Sequence, residues 1–116
     1  MAIFIDPDPH QVDASADLGV QQIEGDIRDK ELVDQACENI DVVFHVAGVA
    51  GVWGPWDHYY SINTVGAINL VEEAREAGVK RFVYTSSPSV TFDGTDQNHV
   101  DETAPYPSRW LCHYPH

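Results

Sequence analysis

The chain has 116 residues, room for one small domain, and carries 19 Asp and Glu against 6 Lys and Arg, a net charge of −13 at pH 7. So acidic a chain repels a phosphate backbone or an anionic membrane surface, and nucleic acid is not an expected partner. The run "VVFHVAGVAGVWGPW" has no acid or base other than His45, but it is shorter than the ~20 apolar residues of a membrane span and ends in Pro55 and Trp56; no span is expected.

The start "MAIFIDPDPH" has neither a basic flank nor a long apolar core, so no secretion signal is read there. Two cysteines, Cys37 and Cys112, form no disulfide framework and fit a reducing, cytoplasmic compartment. In chain order, "AIFI" (2 to 5) is a short apolar strand closed by Asp6 and Pro7, and "VQQIEG" (20 to 25) is a second strand ending at Gly25. "KELVDQACENI" (30 to 40) predicts a helix with Leu32, Val33 and Ala36 on its inner face, after Asp29 as N-cap.

"DVVFHVAG" (41 to 48) reads as a strand apolar on both faces, as in buried parallel sheets. From about Asp57 to Ala77, Ala67, Leu70, Val71, Ala74 and Ala77 recur at helical spacing, with Glu72, Glu73 and Glu76 expected outward and Gly78 closing the end. "RFVYTSS" (81 to 87) is a further buried strand, and Pro88 to His116 reads as loop. Short strands alternating with helices predict an α/β chain with a parallel sheet. The six histidines show no metal-ligand spacing and the cysteines no pair, so no metal site is expected.

"GDIRD" (25 to 29), "DVVFHVAG" (41 to 48), "INTVGAINLVEEAREAGVKRFVYTSS" (62 to 87) and the final "YPH" stand in an order that resembles the extended short-chain dehydrogenases, the NAD-dependent epimerase/dehydratase superfamily. "YTSSPSV", "HYPH" and the aromatic stretch "VWGPWDHYY" are most similar to the 3β-hydroxysteroid dehydrogenase branch. The resemblance implies a Rossmann-like, doubly wound parallel sheet, here incomplete. The glycine-rich turn that should follow the first strand is not found, because "GVAGVWG" (48 to 54) follows the wrong strand.

Residues 1 to 116 are therefore expected to be a partial dinucleotide-binding domain, truncated at both ends, running from the second strand to the catalytic tyrosine. The family's strand order of 3-2-1-4-5 then leaves a gap in the middle of the sheet. Either "AIFI" pairs directly with "DVVFHVAG", or another polypeptide fills the gap, with a homo-oligomer through the open strand edges as one form of this, or the piece folds poorly.

The resemblance also implies site residues. Tyr114 takes the place of the catalytic tyrosine, whose lysine partner would fall at position 118, beyond the last residue. A free phenol ionises only near pH ~10, so without that ammonium it is a poor base, and the chain alone is expected to be inactive. Ser87, with Ser86 as the runner-up, takes the place of the hydroxyl that orients the reacting oxygen. Asn63 takes that of an asparagine supporting substrate or a relay water. Asp6 would bond the adenosine ribose and favour NAD over NADP, Asp26 and Ile27 would meet the adenine, and Ala47 and Gly48 would admit the cofactor backbone closely.

Each residue also has a plain structural reading. Tyr114 is then a loop aromatic, Ser87 a local cap, Asn63 a polar residue at a helix start, Asp6 and Asp26 turn formers, and Ala47 and Gly48 the small residues common at a strand exit. The implied function is part of an NAD(H)-dependent oxidoreductase for a secondary alcohol or ketone, with a sterol-like substrate. The alternatives are part of a nucleotide-sugar epimerase or dehydratase, or a non-catalytic chain that pairs with another polypeptide. The aromatic stretch would line an apolar substrate pocket or form core.

Overall fold

A computed structural model describes residues 3–6, as a strand, and 19–115. β1 (Ile3–Asp6) pairs in parallel with β2 (Gln21–Glu24), and β3 (Val42–His45) pairs in parallel with β4 (Arg81–Tyr84). These are two separate two-stranded sheets, in the order β1-β2 and β3-β4. Among the described residues β1 does not pair with β3, so the first of the three expected outcomes is not what forms. The adjacencies are the outer pairs of a 3-2-1-4-5 sheet, open between β1 and β3.

α1 (Lys30–Cys37) starts where Asp29 was expected to cap it, the Asp29 carboxylate accepting from the Leu32 N–H at 3.3 Å. Val33, Ala36 and Cys37 form its inner face. After β3 the chain enters one helical run in three parts: α2 (Trp56–Tyr59), a π-helical segment (Tyr60–Gly66) and α3 (Ala67–Glu76). Gly78, at φ +75°, ends the run. Val79 N–H bonds back to Ala74 O at 2.9 Å and Gly78 N–H to Arg75 O at 3.2 Å, the paired closure that a left-handed glycine permits.

The core is Ile27, Val33, Cys37, Leu70 and Ala74, against which Val43, Ile62, Val79 and Phe82 pack. It lies between α1, α3 and one face of the β3-β4 sheet. Gly66 is glycine because a Cβ there would stand 2.6 Å from the Ile27 side chain. The helix can therefore lie directly on the segment that follows β2.

Four expectations about burial are corrected. Glu73 was expected outward and is 4% exposed, whereas Val71 was expected inward and is exposed. The inner face of α3 passes through Gly66, Leu70, Glu73 and Ala74, and Lys30 of α1 reaches the Glu73 carboxylate at 3.1 Å. A long cation from the neighbouring helix thus replaces the apolar residue that periodicity favoured. β3 was expected to be buried on both faces and β4 to be buried, yet Val42, Phe44 and Val83 form an uncovered face, with Phe44 70% exposed. The described helices pack on the opposite face only.

Candidate active site

The carboxyl ends of β3 and β4 open onto one cavity of about 220 Å³. Parallel strands bring this about: both chains leave the sheet at the same edge, so Val46 to Gly48 and Thr85 to Ser87 diverge side by side. Thr85 N–H still bonds to His45 O at 2.9 Å, and the strands separate beyond that point. The π-helical segment and the turn at His113 to Pro115 complete the walls.

Five of the site residues expected from sequence, Ala47, Gly48, Asn63, Ser87 and Tyr114, line this one cavity, and so does Ser86. Tyr114 is half-buried and Ser86 exposed. The half-buried Ser87 hydroxyl lies 2.8 Å from the Ser89 hydroxyl and accepts from the Ser89 N–H at 3.3 Å, capping the short 3-10 turn Pro88–Thr91. Ser87 is thus a local cap that also lines the cavity.

Asn63 has a more definite occupation. Its carboxamide accepts from the Val49 N–H at 2.8 Å and donates to Val49 O at 3.0 Å. This polar pair ties the middle of the π-helical segment to the loop after β3. Each polar atom of the side chain makes one hydrogen bond to Val49, and this pair positions the loop.

Asp26 and Ile27, the two residues expected to meet an adenine, are not among the residues lining this cavity. The Asp26 carboxylate accepts from Arg28 Nε at 2.9 Å and Nη2 at 2.5 Å and from the Arg28 N–H at 2.9 Å, a turn closed by its own sequence neighbour. The Arg28 hydrogen bond holds its carboxyl below the usual carboxylate range. Ile27 is buried in the core, with its carbonyl accepting from the Asn69 carboxamide at 3.3 Å. Asp6 ends β1 opposite Glu24, and its side chain lies outside the described residues.

The aromatic stretch divides between the two roles expected for it. Trp56, Tyr59 and Tyr60 line the cavity, whereas Trp53 points to solvent at 92% exposure. Tyr59 is also core-like: it is buried, donates its hydroxyl to Trp53 O at 3.0 Å, and lies so close to Gly51 and Gly54 that a Cβ on either would come within 2.8 Å of it. The loop from Gly48 to Gly54 therefore wraps the Tyr59 ring and is held at Val49 and Trp53.

One contributor was missed from sequence, His113. His113 lines the cavity, with its ring edge-on to Trp56 at 5.3 Å and 6.4 Å from Tyr59. Its position directly before Tyr114 was the available signal. His45, at the end of β3, is buried edge-on against Phe82 and Tyr84, and burial pushes its pKa down. Among the described residues no cluster of three metal-ligating side chains occurs, and no helix is long and apolar enough to cross a membrane.

Ser87 and Tyr114 both line the cavity at the carboxyl edge of the β3-β4 sheet, beside the small-residue strand exit at Ala47 and Gly48. Residues 2–116 match the 3-beta hydroxysteroid dehydrogenase/isomerase family. The chain belongs to this family. It is 46% identical over 99 residues to a 2-alkyl-3-oxoalkanoate reductase of Shewanella oneidensis, a match covering 85% of this chain and 26% of that protein. To the 3beta-hydroxysteroid-dehydrogenase/decarboxylase isoform 1 of Arabidopsis thaliana it is 40% identical over 91 residues, covering 78% of this chain and 21% of that one.

Among solved structures it resembles a UDP-glucose-4-epimerase of Stenotrophomonas maltophila with bound NAD and formylated UDP-arabinopyranose. The TM-score is 0.83 at 25% identity, with 97% of this chain and 36% of that one aligned. The chain therefore spans about a quarter of the curated relatives it matches. Its fold is a part of the Rossmann-like sheet of the extended short-chain dehydrogenases, and its family is one of oxidoreductases.

Proposed function

We propose that this chain carries the substrate side of an NAD(H)-dependent oxidoreductase site for a secondary alcohol or ketone with an apolar, sterol-like or alkyl body. The observation that carries this reading is the shared cavity of Ser87 and Tyr114 at the carboxyl end of β3 and β4. Tyr114 would pass the hydroxyl proton, and Ser87 would hold the oxygen in line by hydrogen bonding. Trp56 and Tyr60 supply apolar surface for the substrate body.

NAD fits the residues present. Ala47 and Gly48 are exposed in the cavity wall, and a Cβ at Gly48 would meet only the Asn63 amide, at 3.4 Å, so the wall is open to a flat ligand. When bound, NAD supplies the hydride acceptor. Asp26 and the Ile27 backbone would meet its adenine and Asp6 its ribose, with Asp26 sharing its carboxylate between the ligand and Arg28.

A nucleotide-sugar epimerase or dehydratase is the second reading, supported by the structural likeness to the UDP-glucose-4-epimerase. It would need basic side chains for a diphosphate from outside this chain, since the described lining residues include no Lys or Arg. A third reading has the open edges of β1 and β3 paired by another polypeptide or a second copy.

The test uses the protein expressed from the whole reading frame that encodes this chain, with NADH formation at 340 nm as the readout for the alcohols and chromatographic product analysis for UDP-sugars, whose epimerisation or dehydration forms no net NADH. 3β-hydroxysteroids, long-chain 3-hydroxy acids and UDP-sugars are offered in turn. Turnover of either of the first two with NAD is expected. Turnover of UDP-sugars alone would replace this reading with the second, and light scattering that finds a heteromeric or dimeric species without NAD binding would favour the third.

A further inference from the structure

At about 220 Å³ the cavity lies below the roughly 300–1,000 Å³ that usually encloses a drug-sized ligand. It has room for a reacting carbon and its nearest neighbours, and a larger body has to leave it. Two of its walls, Trp56 and His113, also line a second void of about 500 Å³, which residues 108 to 112 complete. The two rings stand edge-on at 5.3 Å, and this aromatic pair is the boundary that the voids share.

The second void is built on side chains fixed from elsewhere in the chain. Trp110 donates its indole N–H to Val90 O at 3.0 Å, across twenty residues, which ties its ring to the 3-10 turn Pro88–Thr91. Leu111 is 66% exposed yet lies against Gly94, where a Cβ would stand 3.3 Å from its Cδ1 and where φ is +97°. Arg109 is exposed, so its guanidinium stays hydrated while its stem offers apolar surface. An exposed apolar side chain already held beside a void gains free energy when an apolar ligand covers it, at little ordering cost.

We propose that this second void is the subsite for the apolar body of the substrate, reached past the Trp56–His113 edge, and that Leu111 and Trp110 set the preference for body size. This rests on the reading of the first cavity as an alcohol or ketone site. The first cavity then handles the oxygen, through Ser87 and Tyr114, and the second handles the body, so the two parts of a ligand meet surfaces of different chemistry.

The subsite is tested in the protein expressed from the whole reading frame, by following NADH at 340 nm with the homologous 2-alkanols from 2-butanol to 2-octanol. Each methylene taken up by the second void should raise kcat/KM about fourfold. The ratio of 2-octanol to 2-butanol should fall by about threefold to tenfold in Leu111→Ala and further in Leu111→Glu, which sets a hydrated carboxylate in the void, and should hold in Leu111→Met. General loss of stability lowers every alcohol together and leaves the ratio where it was. A wild-type kcat/KM that stops rising at 2-butanol, or a ratio unchanged in both Leu111→Ala and Leu111→Glu, overturns the subsite and leaves the alcohol-site reading standing. No turnover of any 2-alkanol overturns the subsite as well, and the alcohol-site reading falls with it only where the hydroxysteroids and hydroxy acids are also inert.

Discussion

Asn63 and Val49 are fourteen residues apart and exchange two hydrogen bonds, at 2.8 and 3.0 Å, through a side-chain amide that mimics a backbone partner. The contact joins the π-helical segment to the loop leaving β3, and so fixes two walls of the cavity with one residue. π-helical turns recur at functional sites because they displace one residue from the regular ladder. Here the segment centred on Asn63 faces the strand exit.

Replacing Asn63 with Ala strands the Val49 N–H and C=O in a half-buried position. The expected loss of stability is about 1–3 kcal/mol, read from the urea midpoint at constant slope. An Asn63→Ala chain as stable as the parent would mean that water replaces the amide without cost.

In the protein that turns over substrate, Tyr114→Phe removes the proton carrier and should lower kcat by about 10²–10⁴. Ser87→Ala should lower it by a smaller factor, with the 3-10 turn at Pro88 also loosened because the same hydroxyl caps it. Stopped-flow absorbance at 340 nm separates loss of rate from loss of binding. Undiminished kcat in Tyr114→Phe would remove the catalytic role proposed for it.

Burial separates the two thiols. Cys37 is 2% exposed, and burial together with the nearby Glu73 and Asp34 charges pushes its pKa up, whereas Cys112 is half-exposed. Iodoacetamide at neutral pH should therefore modify Cys112 while Cys37 stays protected until the chain unfolds. Peptide mass spectrometry after timed quenching reads the order. Equal labelling of both would mean that the α1-α3 contact opens readily.

His45 gives the stability a pH dependence of known sign. Its folded pKa lies below the usual 6.5 because burial disfavours the imidazolium. Above pH 6.5 the ring is neutral in both states; as pH falls below that value the unfolded chain takes up the proton first, and stability declines until the folded pKa is passed. Urea midpoints measured from about pH 7.5 down to about 5.5 should fall for the wild-type chain and flatten over that range in His45→Leu.

The two faces of the β3-β4 sheet should respond in opposite ways to truncation. Val33→Ala, in the core that one face covers, should cost roughly 2–3 kcal/mol. Phe44→Thr, on the uncovered face, should change stability by less than about 0.5 kcal/mol in this chain. A large loss at Phe44 would mean that the face is covered in solution.

Local chemistry made much of the architecture legible. Asp29 before a periodic run, Gly78 after one, and short β-branched strands between them are decided within a few residues, so caps and elements emerged at their places. Ala47, Gly48 and Ser87 reach one cavity because parallel strands release their carboxyl ends at the same edge, and the π-helical segment and the C-terminal turn bring Asn63 and Tyr114 to it.

Other features depended on what each surface meets across the fold. Glu73 is buried because Lys30 arrives from another helix, Phe44 is exposed because the described helices pack on one face only, and the Asn63 amide is spent on Val49. The aromatic setting of His113 arises from residues more than fifty positions earlier in the chain. Periodicity records which residues can share a face, whereas burial and pairing are properties of two surfaces in contact, and only the tertiary structure supplies the second surface.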